Sequence, residues 1–141
     1  MKKKLLLLLC PLLLTACADK NQYEQAVLEQ MQKEQDIKDY KIPPEDMVKC
    51  VVAQTSENMP GVFALDPTRL TAYRNYAKML SLTTPKDPKS TVDQKAVMEQ
   101  LKTDFGSPQA LTEAHNNYME SVVECYSVVI SKSESAAKEK K

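Results

Sequence analysis

Tryptophan is absent, and the 141 residues hold only two glycines, two phenylalanines and one histidine. Each scarcity rules out a class of chemistry. Gly61 and Gly106 alone cannot build a glycine-rich phosphate cradle, and no GxSxG or HExxH pattern occurs. A single histidine, His115, with no second histidine or spare thiol, cannot complete a zinc set, and its place on an apolar helical seam marks a core or boundary residue. No metal or other cofactor is expected. Basic excess is missing too: 19 lysines and arginines balance 19 acidic residues, so nothing points to nucleic acid. Runs of β-branched residues are few, while Ala, Leu, Lys, Glu, Gln and Met are plentiful, which is the composition of a helical protein. The apolar stretch from Leu5 to Leu14 has ten residues, too few to cross a hydrocarbon core of about 30 Å as a helix.

What that stretch does carry is an address. Met1 is followed by Lys2, Lys3 and Lys4, then by Leu5 to Leu9, Cys10, Pro11 and Leu12 to Leu14, and then by the small residues Thr15 and Ala16. A basic start, a short apolar core and a small-residue cleavage site read as a signal peptide over residues 1–16. Leu14, Thr15, Ala16 and Cys17 resemble the lipobox of bacterial lipoproteins. The resemblance covers these first seventeen residues only. It implies acylation of the Cys17 thiol, cleavage just before it, and a membrane-bound product. One acyl chain binds only marginally, so stable anchoring requires the several palmitate-like chains that the resemblance implies. In Gram-negative lipoproteins an Asp directly after the lipidated cysteine tends to retain the protein in the inner membrane. Here Ala18 holds that position and Asp19 follows, so the resemblance implies the periplasmic face of the outer membrane.

Removal of residues 1–16 leaves one ordinary domain with tails and, without Lys2, Lys3 and Lys4, a mildly acidic one. It also simplifies the cysteines. Cys10 departs and Cys17 is capped by lipid, which leaves Cys50 and Cys125 as free thiols in an oxidising compartment. An intramolecular disulfide between them is expected.

Along the mature chain, residues 17–43 read as a lipidated tether. Its helical stripe, Tyr23, Val27 and Met31 with Leu28 beside it, is narrow, so a marginal helix spacing the domain from the membrane is expected, docking on the domain being the alternative. Residues 44–131 read as an antiparallel bundle of about four helices, an all-α fold. The first starts near Pro44 and turns Met47, Cys50, Val51 and Gln54 to one face. The second follows the cap pair Asp66 and Pro67 and aligns Leu70, Tyr73, Ala77 and Leu80. The third starts at Ser90 or Thr91, buries Val92, Ala96, Val97, Leu101 and Phe105, and ends at Gly106. The last follows Ser107 and Pro108 with a seam of Leu111, His115, Tyr118, Val122, Cys125 and Val129, widened by Val123, Tyr126 and Ile130 so as to meet more than one neighbour. Residues 132–141 read as a disordered polar tail.

Chemistry is sparse. Glu113, Glu120 and Glu124 are spaced along the last helix, but they follow its solvent face, and Cys50 and Cys125 lack the CxxC arrangement that activates redox thiols. Tyr73, Tyr76, Met79 and Tyr118 form the one candidate binding groove, against the alternative that they cap the edges of an aromatic-poor core. The expectation is a non-enzymatic, lipid-anchored protein whose helical domain binds another envelope protein in an assembly, adaptor or protective, immunity-type role. At the level of architecture it resembles the pilotins. The alternative is a carrier of a small apolar ligand or a weak peptidoglycan-active enzyme, the latter needing two acidic side chains about 5 to 9 Å apart in a cleft. Cys17→Ser tests the address: acyl labelling should be lost and uncleaved precursor should accumulate, whereas normal maturation to a soluble form would overturn it.

Overall fold

The computed structural model describes residues 10–83 and 93–139, with side chains for 18–82 and 93–135. The start of the signal segment, the 84–92 stretch with Ser90, Thr91 and Val92, and the Cys17 side chain lie outside these. Six helices make up the described chain, with no strand: α1 (Cys10–Met31), α2 (Gln35–Asp39), α3 (Pro44–Glu57), α4 (Pro67–Thr83), α5 (Gln94–Phe105) and α6 (Pro108–Glu139). Among the described residues no helix is long and apolar enough to cross a membrane.

Local chemistry sets the helix ends. Pro44 opens α3 with Glu45 and Asp46 in the first turn, where the helix dipole favours acidic groups. Asp66 caps α4 by accepting the Thr68 amide at 2.8 Å, Asp93 caps α5 by accepting that of Lys95 at 2.9 Å, and Ser107 caps α6 by accepting that of Ala110 at 3.0 Å. Gly106 ends α5 in the left-handed conformation, with φ of 86°.

The largest departure from expectation is the segment read as a tether. Its stripe of Tyr23, Val27 and Met31 is buried, Leu28 is half-buried, Ala26 joins the buried face, and Ile37 and Ile42 continue the burial through α2 and the turn behind it. α1 packs on both α3 and α4, so the bundle begins with residues 18–43 rather than after them. The narrow stripe is supplemented by the packing of Tyr23, which meets the rings of both Tyr73 and Tyr76 on α4. α1 and α4 run in the same direction, with Asp19 beside Arg74, Tyr23 against Tyr73 and Tyr76, and Gln30 beside Leu80. α3 and α6 run antiparallel, Cys50 meeting Cys125 and Asn58 meeting Asn117.

Three smaller differences follow from packing. His115 is exposed, and Ala114 takes its place on the α6 seam between Leu111 and Tyr118. α5 buries Leu101 fully and Val97 and Phe105 in part, while Ala96 faces solvent. The tail expected to be disordered continues α6 as helix to Glu139, although residues 131–135 are exposed. Lys, Glu and Ala are strong helix formers, and their propensity extends a helix already nucleated by the packed part.

The expected disulfide is present. Cys50 and Cys125 lie 5.7 Å apart at Cα, within bonding range, and Cys125 is wholly buried. The bridge ties α3 to α6 across a separation of 75 residues. Replacing both cysteines by Ala should lower stability by up to about 4 kcal/mol in urea unfolding while leaving helical circular dichroism intact at low denaturant, because the seams on either side persist. Loss of the helical signal in buffer would show instead that the bridge is required to form the bundle at all.

Candidate functional site

The four residues expected to line one groove do not meet at one: Tyr73 and Tyr76 border separate hollows, and Met79 and Tyr118 border neither. Tyr73, Tyr76, Met79 and Tyr118 are all buried in the core. Tyr23 stacks against Tyr73 at 6.0 Å between ring centroids and meets Tyr76 edge-on at 5.6 Å, and Tyr76 packs on Phe105 at 5.8 Å. Their hydroxyls are satisfied internally. The Thr55 hydroxyl donates to the Val51 carbonyl at 2.8 Å, so the Tyr23 hydroxyl, 2.9 Å away, donates to Thr55. In the same way Ser56 donates to the Val52 carbonyl, and Tyr73 donates to Ser56 at 3.0 Å. The Asn117 amide donates to the Thr55 carbonyl and to the Tyr76 hydroxyl, each at 3.0 Å. Burial raises the pKa of Tyr23, Tyr76 and Tyr118, which keeps all three phenols neutral. Tyr126 differs: its hydroxyl is buried with no hydrogen-bond partner among the described residues, and burial, then the carboxylates of Glu34 and Asp36, raise its pKa.

Beside this network, Asn58, Met59, Tyr76, Phe105, Ala114 and Asn117 line an open hollow of about 520 Å³, with Glu113 at its rim. Glu120 and Glu124 are exposed on α6 and do not line it. Among the described residues no group of three or more His, Cys, Asp or Glu is placed to hold a metal ion.

The features that stand out are two exposed apolar surfaces. One is the loop between α3 and α4, where Val62, Phe63 and Leu65 are 91%, 62% and 50% exposed with Ala64 between them. A run of four exposed apolar residues is anomalous for a turn, and this one is built rather than loose. The Arg69 guanidinium donates to the carbonyls of Pro60 at 3.0 Å and Gly61 at 2.6 Å and to that of Ser56. Asp66 accepts the Val62 amide at 2.9 Å on one oxygen while capping α4 with the other. These two backbone hydrogen bonds hold its carboxyl below the usual carboxylate range. Gly61 has φ of 103°, and a Cβ there would come within 2.7 Å of the Arg69 backbone nitrogen. Any side chain at that position would push the loop off its clamp.

The second surface lies along α6. Met119 and Val123 are 45% and 65% exposed, and the half-buried Tyr126 and Ile130 continue the line at spacings of three and four. These residues share one narrow face beside the buried seam. The sequence marked this widening at Val123, Tyr126 and Ile130, and Val123 proves to lack the neighbour expected for it. The loop went unmarked, although an apolar run flanked by Pro60-Gly61 and Asp66-Pro67 was its signal.

No protein-family model matches the chain, and comparisons with curated proteins and with solved structures return no match.

The clamp makes a direct prediction. Arg69→Ala leaves three carbonyls without their shared donor, and chymotrypsin should then cut after Phe63 about tenfold faster, equivalent to roughly 1.4 kcal/mol of local opening. Equal cleavage rates would show that the loop holds its shape without the guanidinium. The Asp66 contribution has the opposite pH sense to that of a raised group. With its folded pKa depressed, it steadies the loop above the ordinary carboxylate range and loses that effect as pH falls through the folded value.

Proposed function

We propose that this chain is a lipid-anchored envelope protein, facing the periplasm from the outer membrane, whose helical domain acts by binding another envelope protein and not by catalysis. Support for the address is the basic start, the apolar core and the lipobox ending at Cys17, together with a disulfide suited to an oxidising compartment. The observation that carries the binding reading is the α6 stripe. Met119 and Val123 stand exposed one turn apart and run into Tyr126 and Ile130, an arrangement of anchors one turn apart through which a helix docks into a groove or against another helix. Assembly, adaptor and pilotin-like roles fit this surface, as does a protective role of the immunity type.

The carrier alternative is weakened, because the four residues that would line its groove are buried and do not meet at a single hollow. The enzyme alternative has no positive observation to set beside the stripe.

A photo-crosslinking residue placed at Val123 in living cells should give one discrete adduct with an envelope protein, and the same probe at exposed Lys95 on α5 should give none. Met119→Asp should reduce the adduct at Val123 at least tenfold without changing the level of the mature protein, in keeping with the loss of an apolar interface anchor. Equal, diffuse labelling at both positions would overturn the reading.

A further inference from the structure

We propose that the Val62–Leu65 loop inserts into the lipid surface beside Cys17, giving the domain a second membrane contact that fixes its orientation. The inference rests on acylation of Cys17 and deepens it by naming which end of the bundle meets the bilayer.

α1 and α4 run in parallel, and Asp19 is tied to Arg74 by an ion pair of 3.4 Å. From Asp19 back to Cys17 is two residues, about 3 Å of helix rise, whereas from Arg74 back to Pro67 is about 10 Å. Helical side chains lean toward the N-terminus, so Arg74 meets Asp19 from a backbone position somewhat further along. Pro67 therefore stands near the level of Cys17, and the loop that precedes it reaches that level or passes it. Acyl chains leaving Cys17 bring a bilayer to the loop whether or not a protein partner is present. With only Ala18 between Cys17 and the ion-paired Asp19, no spacer separates the lipid from the bundle.

The chemistry of the loop suits that surface. Asn58 to Leu65 carries no charge, and Asp66 turns inward onto the amides of Val62 and Thr68. Val62, Phe63 and Leu65 point outward, and the Arg69 clamp has already ordered the backbone that presents them. Insertion thus buries apolar surface with little further ordering and needs no anionic headgroup.

The test uses the acylated mature chain in vesicles of phosphatidylethanolamine and phosphatidylglycerol. An environment-sensitive fluorophore is attached through Ala64→Cys, which leaves Val62, Phe63 and Leu65 in place, and separately through Lys132→Cys near the opposite end of the bundle. The mass of the N-terminal peptide is read on the same samples. The label at position 64 should shift to the blue and lose emission to nitroxide-bearing lipid, while that at position 132 should stay aqueous. Val62→Asp with Phe63→Asp should abolish the shift with acylation intact. Aqueous emission at position 64 in a chain of verified acyl mass would overturn the insertion and leave the anchor standing. A shift that appears only after solubilised envelope proteins are added would overturn it in favour of a protein partner. A peptide mass without acyl groups would remove the anchor, and the insertion with it.

Discussion

A tyrosine with no exposed surface would leave its hydroxyl dehydrated, a cost of about 1–3 kcal/mol if unmet. Thr55 is what makes Tyr23 tolerable there. Its hydroxyl proton goes to the carbonyl of its own helix, which leaves its oxygen free to accept from Tyr23 on α1. Its carbonyl takes the Asn117 amide from α6, and the same amide reaches Tyr76 on α4. Four helices are thereby joined at one level of the bundle, by the wholly buried Tyr23–Thr55 pair and by Asn117 at the edge of the open hollow. α3 and α6 are joined again at Cys50 and Cys125, so their register is fixed by both a covalent and a hydrogen-bonded tie. Networks of this kind specify one arrangement, because sliding any helix past its neighbour strands several donors at once.

That constraint also explains which parts of the fold were legible in the sequence. Caps such as Asp66 and Ser107 act over two or three residues, and the spacing alone reveals them. The disulfide was legible by elimination, since the expected export and acylation of Cys17 would leave only Cys50 and Cys125 as free thiols. The docking of α1 was not, because the value of Tyr23 lies in a hydroxyl 32 residues away in sequence, at Thr55. A stripe judged by apolar width alone undervalues a tyrosine whose polar end is satisfied at long range. The choice between Ala114 and His115 shows a related limit. Both positions suit a helical seam, and the smaller residue faces inward in a bundle whose helices approach closely, which only the assembled neighbours decide. Likewise Tyr73 and Tyr76 read equally well as groove or core until their hydroxyl partners, Ser56 and Asn117, were known.

An α1 built into the core changes what anchoring would mean. A flexible tether would let the domain tumble above the bilayer and present every face to a partner. With burial beginning at Tyr23, the proposed lipid at Cys17 is separated from the buried core by less than two helical turns. The bundle then meets the membrane by a defined end, the one that holds the α3–α4 loop. α6 starts at that same end, its first turns lying near Asn58 and Pro60, and runs away from it for 32 residues, about 48 Å.

Two exposed apolar surfaces in so small a domain would ordinarily favour self-association. Here they lie in different directions, and that difference separates their roles. The loop is clamped at the anchored end, where the proposed bilayer would cover it in every copy. The stripe runs from Met119 to Ile130 along the flank of α6, too far along the helix for the same surface to cover both. Of the two, the one that anchoring would leave exposed is therefore the narrow face on α6, which also carries the exposed carboxylates of Glu120 and Glu124. Acidic neighbours on α6 disfavour pairing of two identical stripes through repulsion of like charge, while they leave the face open to a partner with an apolar groove and a basic rim.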